Sequence, residues 1–290
     1  MLPQCLKFAF ALTFCFQYTE RNYYADNRAR FVEDMSAAVA EGTSATYLDL
    51  LEEVFPGVEA SGGDRFVPKN PLRLRNLERT RETAARGGAI QISSVQSLWL
   101  VHAGEHHLAL VVSAREEGEN GGEFHVLAVF APQTSPRLID AAEVDFDRFL
   151  GFWDESPLLP VRQGETAFWL RASHHNSSEG FHAYYLAGLR GGRLRLALRE
   201  PFGLVDVRLC GSETDETLKV LRERGTSAGR RVFDLSVRTE TRPTGDCEEA
   251  RRAVARRVAV RTYRLRWDAR RQTYLATPTK PQRAARRPRS

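Results

Sequence analysis

The stretch Gly192-Arg193-Leu194-Arg195-Leu196-Ala197-Leu198-Arg199 decides the fold. Apolar and basic residues alternate along it with period two. Alternate side chains of a strand point to opposite faces, so the leucines can enter a core while the arginines stay in water. The preceding pair, Gly191-Gly192, is a hairpin signal, because glycine accepts the positive φ that two-residue turns require.

Outward from this point the chain reads as strand after strand. The pattern predicts strands over 97–103, 107–114, 124–131 and 137–141, then over 167–172, 181–189, 194–199 and 204–210. Four more follow over 217–221, 232–239, 258–267 and 273–275. Strands at this spacing without intervening helices imply a mainly β protein built as an antiparallel meander, sandwich-like or barrel-like. Propeller-like sheets are the minority reading. They are suggested by the four-strand grouping at 97–141 and weakened by the lack of a repeated blade signature.

A small helical segment is expected before the β region. Tyr24, Arg28, Phe31, Met35 and Val39 recur at helical spacing, with Gly42 as a C-terminal stop. Ser44 is placed to cap a second helix carrying Tyr47, Leu48, Leu51 and Val54. That helix ends at Phe55, since Pro56 disfavours helix at the residue before it. The Arg/Glu-rich stretch 72–86 predicts a third, solvated helix. The resulting organisation is a signal-like hydrophobic segment at 1–17, a helical region at 18–86, an antiparallel β domain at 87–276 and a disordered basic tail at 277–290.

The 290 residues, 42% hydrophobic and 27% charged, have the composition of a globular chain and not of a disordered one. The net charge of +5 hides an asymmetry. Residues 251–290 carry 14 Lys/Arg against one acid, Asp268. A basic arm of this kind can bind nucleic acid. Two features disfavour that here: arginine exceeds lysine along the whole chain, and no aromatic stacking residue follows Tyr274.

Residues 8–16 form an apolar run behind Lys7. The run is too short to span a membrane and suits the centre of a secretory signal, although no small-x-small cleavage site follows. Cys5 and Cys15 fall inside it. The remaining pair, Cys210 and Cys247, would close a disulfide in an oxidising compartment and would be packing thiols in the cytoplasm.

No motif with catalytic context emerges. Gly225-Thr226-Ser227-Ala228-Gly229 matches the nucleophile-elbow pattern, but a strand-like run follows where that chemistry needs a helix. No histidine lies beyond His182 to complete a triad, so a hairpin loop is the better reading. The acidic residues between Asp140 and Glu155 fail the calcium-loop spacing, with Phe149 and Leu150 at the fifth and sixth positions from Asp145. No phosphate-binding glycine loop or dinucleotide fingerprint occurs, and no cofactor is predicted.

All seven histidines lie between 102 and 182. His102, His106 and His107 form one local group of metal-ligand candidates; His174, His175 and His182 form another. Their spacing matches no zinc signature, and His107 and His125 occupy alternating strand positions expected to be half-exposed. The polar loop around Asn176, between two aromatic-rich strands, makes Trp169, His174, His175, Asn176, His182 and Tyr184 the candidate ligand-binding residues. The competing assignment puts the aromatics in the core.

Together these features describe a non-catalytic β-rich binding or structural protein, exported to the periplasm or the cell exterior, with a protein or small-molecule partner in the cell envelope. The alternative is a metal-binding protein or hydrolase that uses the 102–182 histidines, and a chain without export would be cytoplasmic.

Overall fold

The computed structural model describes residues 28–41, 43–55, 58–60, 65–68, 71–78, 83–118, 122–131, 137–144, 149–175, 179–198, 200–209, 212–243 and 256–279. The 1–17 segment with its two cysteines, Asn176, Cys210, Cys247 and residues 280–290 lie outside this set.

Two large sheets are stacked face to face. The first contains β1 (Arg30–Phe31), β2 (Val58–Ala60), β3 (Arg65–Pro68), β4 (Leu72–Asn76), β5 (Thr83–Arg86), β6 (Ile90–His102), β7 (Glu105–Glu116), β8 (Glu123–Ala131) and β9 (Arg137–Val144). Its order is β2-β3-β6-β7-β8-β9-β4-β5, with β1 also on β6. Every pairing is antiparallel except β4 with β9. β7 and β8 are buried on both faces, which is why they read as nearly unbroken apolar runs.

One face of this sheet packs beneath α1 (Tyr47–Val54), the single helix among the described residues. Leu50, Leu51, Val54 and Phe55 meet Leu110, Val112, Val126 and Phe130 in one core cluster. The residues of opposite parity, Ala109, Val111, Leu127 and Val129, pack instead against Phe168, Leu170 and Ala183 of the second sheet.

The second sheet contains β10 (Phe149–Phe152), β11 (Leu158–Arg162), β12 (Glu165–His175), β13 (Glu179–Arg190), β14 (Arg193–Leu196), β15 (Phe202–Leu209), β16 (Ser212–Ser227), β17 (Arg230–Pro243), β18 (Arg257–Asp268) and β19 (Thr273–Pro278). Its order is β10-β12-β13-β15-β16-β17-β18-β19, with β11 on β12 and β14 on β13. The sheet curls on itself. Trp169 and Leu186 face Leu235, Leu265, Trp267 and Tyr274 across a third core. Tyr274 donates its N–H to the Ala197 carbonyl at 2.6 Å, and Leu198 bridges Tyr274 in parallel. The last strand thus returns to the extension of β14 through one bridge, not a ladder, and leaves a seam.

The antiparallel β assignment holds, with stacked sheets in place of four-stranded blades. The hairpin readings hold as well. Gly191 and Gly192 take φ of 58° and 70°, and the Gly225–Gly229 run lies in the β16–β17 hairpin.

The N-terminal helices need correction. Among the described residues only the second forms. It is capped by Thr46, not Ser44, in a capping box with Asp49, and it ends at Phe55 as expected. Replacing Thr46 with alanine is expected to cost about 1 kcal/mol in urea unfolding. The described part of 24–39 is strand and turn: the Asp34 carboxylate accepts from the Ser36 N–H and hydroxyl, a local bond that competes with helix. The 72–86 helix is replaced by the β4–β5 hairpin. Leu72 and Leu74 alternate with Arg73 and Arg75, the same period as in 193–198, and the third-helix reading counted charge and missed period. The boundary placed at 86/87 therefore falls within one sheet. Thr277 and Pro278, assigned to the tail, complete β19.

Candidate functional site

The curl of the second sheet creates a small cleft, open to solvent at its mouth. It is built from the two ends of the sheet. β12 and β13 contribute Glu165, Thr166 and Arg190, β14 contributes Arg195, and Arg230, Trp267 and Tyr274 come from β17, β18 and β19.

The junction of the two sheets fixes one wall. The Gly104 N–H donates to the Gly164 carbonyl at 3.0 Å, so the β6–β7 turn rests on the β11–β12 turn. The Thr166 hydroxyl accepts from the Val101 N–H at 3.0 Å and donates to the Val101 carbonyl at 2.9 Å. The opposite wall is anchored by Tyr274, whose buried hydroxyl donates to the Arg231 carbonyl at 3.2 Å. Burial holds that phenol neutral, with its pKa pushed far up.

Arg190, Arg195 and Arg230 line the cleft together with one carboxylate, Glu165. Glu165 is buried, with one oxygen taken by Arg162 and the other 3.3 Å from Arg230. The Arg230 guanidinium also lies 4.3 Å from the Trp267 ring centre, a cation–π contact that fixes its plane. Arg190 donates to the Gln272 carbonyl. Arg195 has no ion-pair or hydrogen-bond partner among the described residues. Burial, then the neighbouring Arg195 and Arg230, lower the pKa of Arg190. Arg190 therefore feels the positive charge of both Arg195 and Arg230, and Glu165 is the one carboxylate among the lining residues. An anion entering the cleft would relieve that repulsion and accept charge-assisted hydrogen bonds.

Among the described side chains the two histidine groups do not converge. His102 stands near Glu165 and meets His107 edge to face at 5.8 Å. Its pKa is lowered, first by burial, with Glu165 opposing and His107, Arg162 and Arg230 adding to the fall. His106 lies at Val101 in the ladder. His182 pairs with Ser173, eight residues along β12 from Glu165, or about 26 Å at strand rise. Among the described residues no three His, Cys, Asp or Glu side chains form a group able to hold a metal. His107 and His125 are buried, not half-exposed. His125 Nδ1 shares a 2.9 Å hydrogen bond with the Ser113 hydroxyl.

The sequence-predicted binding residues divide by strand parity. Trp169, Tyr184 and His182 share the face of the third core, whereas His174 points to the other face of β12. His175 ends β12. Trp169 is fully buried and Tyr184 is 6% exposed, with Trp153 stacked edge-on against both at 6.1 Å and 5.4 Å. These aromatics are core. The Ser173 hydroxyl lies 2.8 Å from His182 Nδ1, a geometry seen in nucleophile–base pairs. Here Arg171 sits 3.2 Å from both ring nitrogens, where an acid-base histidine needs a carboxylate to orient it.

The sequence pattern placed Ala167, Gly188, Leu189, Arg195, Leu196, Ala197, Trp267 and Tyr274 only as strand positions, and it gave no residue of the cleft a binding role. Compared with protein families, curated proteins and solved structures, the chain matches none.

Proposed function

We propose that the protein is a non-catalytic β-sheet binding protein whose ligand presents a compact anionic group, a carboxylate or a phosphate, to the cleft between Arg190, Arg195 and Arg230. The observation that carries this reading is the charge imbalance of the cleft, three arginines against Glu165. Both Glu165 oxygens are engaged by arginine, so the cleft offers cationic donors and no free general base. Rigidity supports binding as well: Trp267 and Glu165 hold Arg230 in place before any ligand arrives.

Calorimetric titration of the full chain with inorganic phosphate and, separately, with citrate tests the proposal. Binding is expected to weaken as salt rises. It should fall at least about tenfold in the Arg195→Gln variant, equivalent to about 1.4 kcal/mol. The melting temperature of that variant should be unchanged, because Arg195 pairs with nothing described. Equal binding by the variant, or no heat with either anion, would refute the anion site. The stronger of the two anions distinguishes a phosphate ligand from a carboxylate one.

A further inference from the structure

β18 is longer than its outer neighbour. Tyr263–Asp268 pair with β19, while residues 257–262 pair only with β17 among the described strands. Thr262 marks where the outer ladder stops, its carbonyl accepting the Thr279 N–H at 2.9 Å. Backbone groups of alternate residues point to the same side of a strand. The N–H and C=O of Val258 and Val260 therefore face outward with those of Thr262, and those of Arg257, Ala259 and Arg261 face β17. The two valine side chains are 50% and 53% exposed.

Such an edge is a template for another strand. The sequence along it, Arg257-Val258-Ala259-Val260-Arg261, reads the same in both directions. We infer that this edge pairs antiparallel with the same edge of a second copy, about a two-fold axis through Ala259.

The geometry is self-consistent. In that register each Val258 stands opposite Val260 of the second copy, and both are hydrogen-bonded pairs. Four outward backbone bonds form, and the four valines close into one apolar patch on a single face. Arg257 would stand opposite Arg261 on the other face. That repulsion is reduced in advance, because Arg261 is bound to Glu216 at 2.7 Å. The chain's own continuation is the competing occupant. Extending the β18–β19 register sets residue 281 opposite Val260, and residue 281 is proline, which has no N–H to donate there.

Sedimentation velocity of the full chain over a dilution series tests the inference. The expected result is a dimer that dissociates on dilution. Val260→Pro removes an outward N–H without touching the β17 ladder, and V258K/V260K sets like charges across the axis; both should be monomeric with unchanged circular dichroism. Hydrogen exchange provides a reading independent of the variants: the Val258 and Val260 amides should become protected as wild-type concentration rises. A wild type that stays monomeric, or amides whose exchange ignores concentration, would overturn the inference. So would dimers that persist in both folded variants. Dimerisation only after truncation at Thr279 would overturn it too, by assigning the edge to the chain's own tail.

Discussion

Replacing Trp169 with alanine is expected to destabilise the protein by about 3–5 kcal/mol, read as a lower urea midpoint. The indole is fully buried and forms the centre of the third core, with Trp153 at 6.1 Å and Phe202 at 6.3 Å. Truncation there removes the largest fully buried side chain and leaves a cavity between β12 and the returning strands. Phenylalanine at the same position is expected to cost much less, under about 2 kcal/mol. It keeps a ring in the core and removes an indole N–H that has no hydrogen-bond partner among the described residues, a buried donor that itself costs about 1–3 kcal/mol. A Trp169→Ala variant as stable as wild type would return this residue to a ligand-binding role.

Asp234 lies on the outer face of β17, opposite in parity to Phe233 and Leu235 of the third core. The carboxylate is buried beneath three arginines, with Arg224 Nε at 2.5 Å, Arg264 Nε at 3.0 Å and Arg222 Nε at 3.5 Å. Burial by itself would raise its pKa. Hydrogen bonds from Arg264 and Arg224, with their charges, outweigh that and hold the group below its ordinary value. A depressed folded-state pKa contributes stability that is complete above the unfolded value, about 3.9, and is lost as pH falls through the folded one. Asp234→Asn is therefore expected to cost about 1–2 kcal/mol at neutral pH, a figure reduced because the guanidiniums are partly exposed. The gap between variant and wild type should begin to narrow below about pH 4 and go on shrinking as pH falls through the lowered folded value. A gap that stays constant from neutral pH down to about pH 2 would show that the site acts through packing and not charge.

The legibility of this chain follows the reach of its interactions. Strand period and turn chemistry are local, so the alternation at 193–198 and the Gly191-Gly192 turn were enough to place a hairpin. The same period was present at Leu72-Arg73-Leu74-Arg75 and was overridden by charge density, which is a poor guide when arginines find partners such as Asp140. The β4–β9 pairing joins residues 67 positions apart in parallel, and no local pattern announces it.

The cleft was hidden for a related reason. Alternation placed Arg195 on the wet side of its strand, which is correct for one hairpin and says nothing about what faces it. Arg190 and Arg230 arrive from strands forty residues apart, and only the curl that brings Tyr274 to Ala197 sets them together. The histidines and aromatics drew attention because their residue types carry chemistry. Parity along β12 then separated Trp169 from His174 and buried the indole.

The most direct test of the anion cleft is a crystal of the full chain soaked in selenate, located by the anomalous scattering of selenium. The account predicts one ordered anion between Arg195 and Arg230, beside Trp267, and its loss in the Arg195→Gln variant. Selenate bound only at other surface arginines, with the cleft empty, would contradict it.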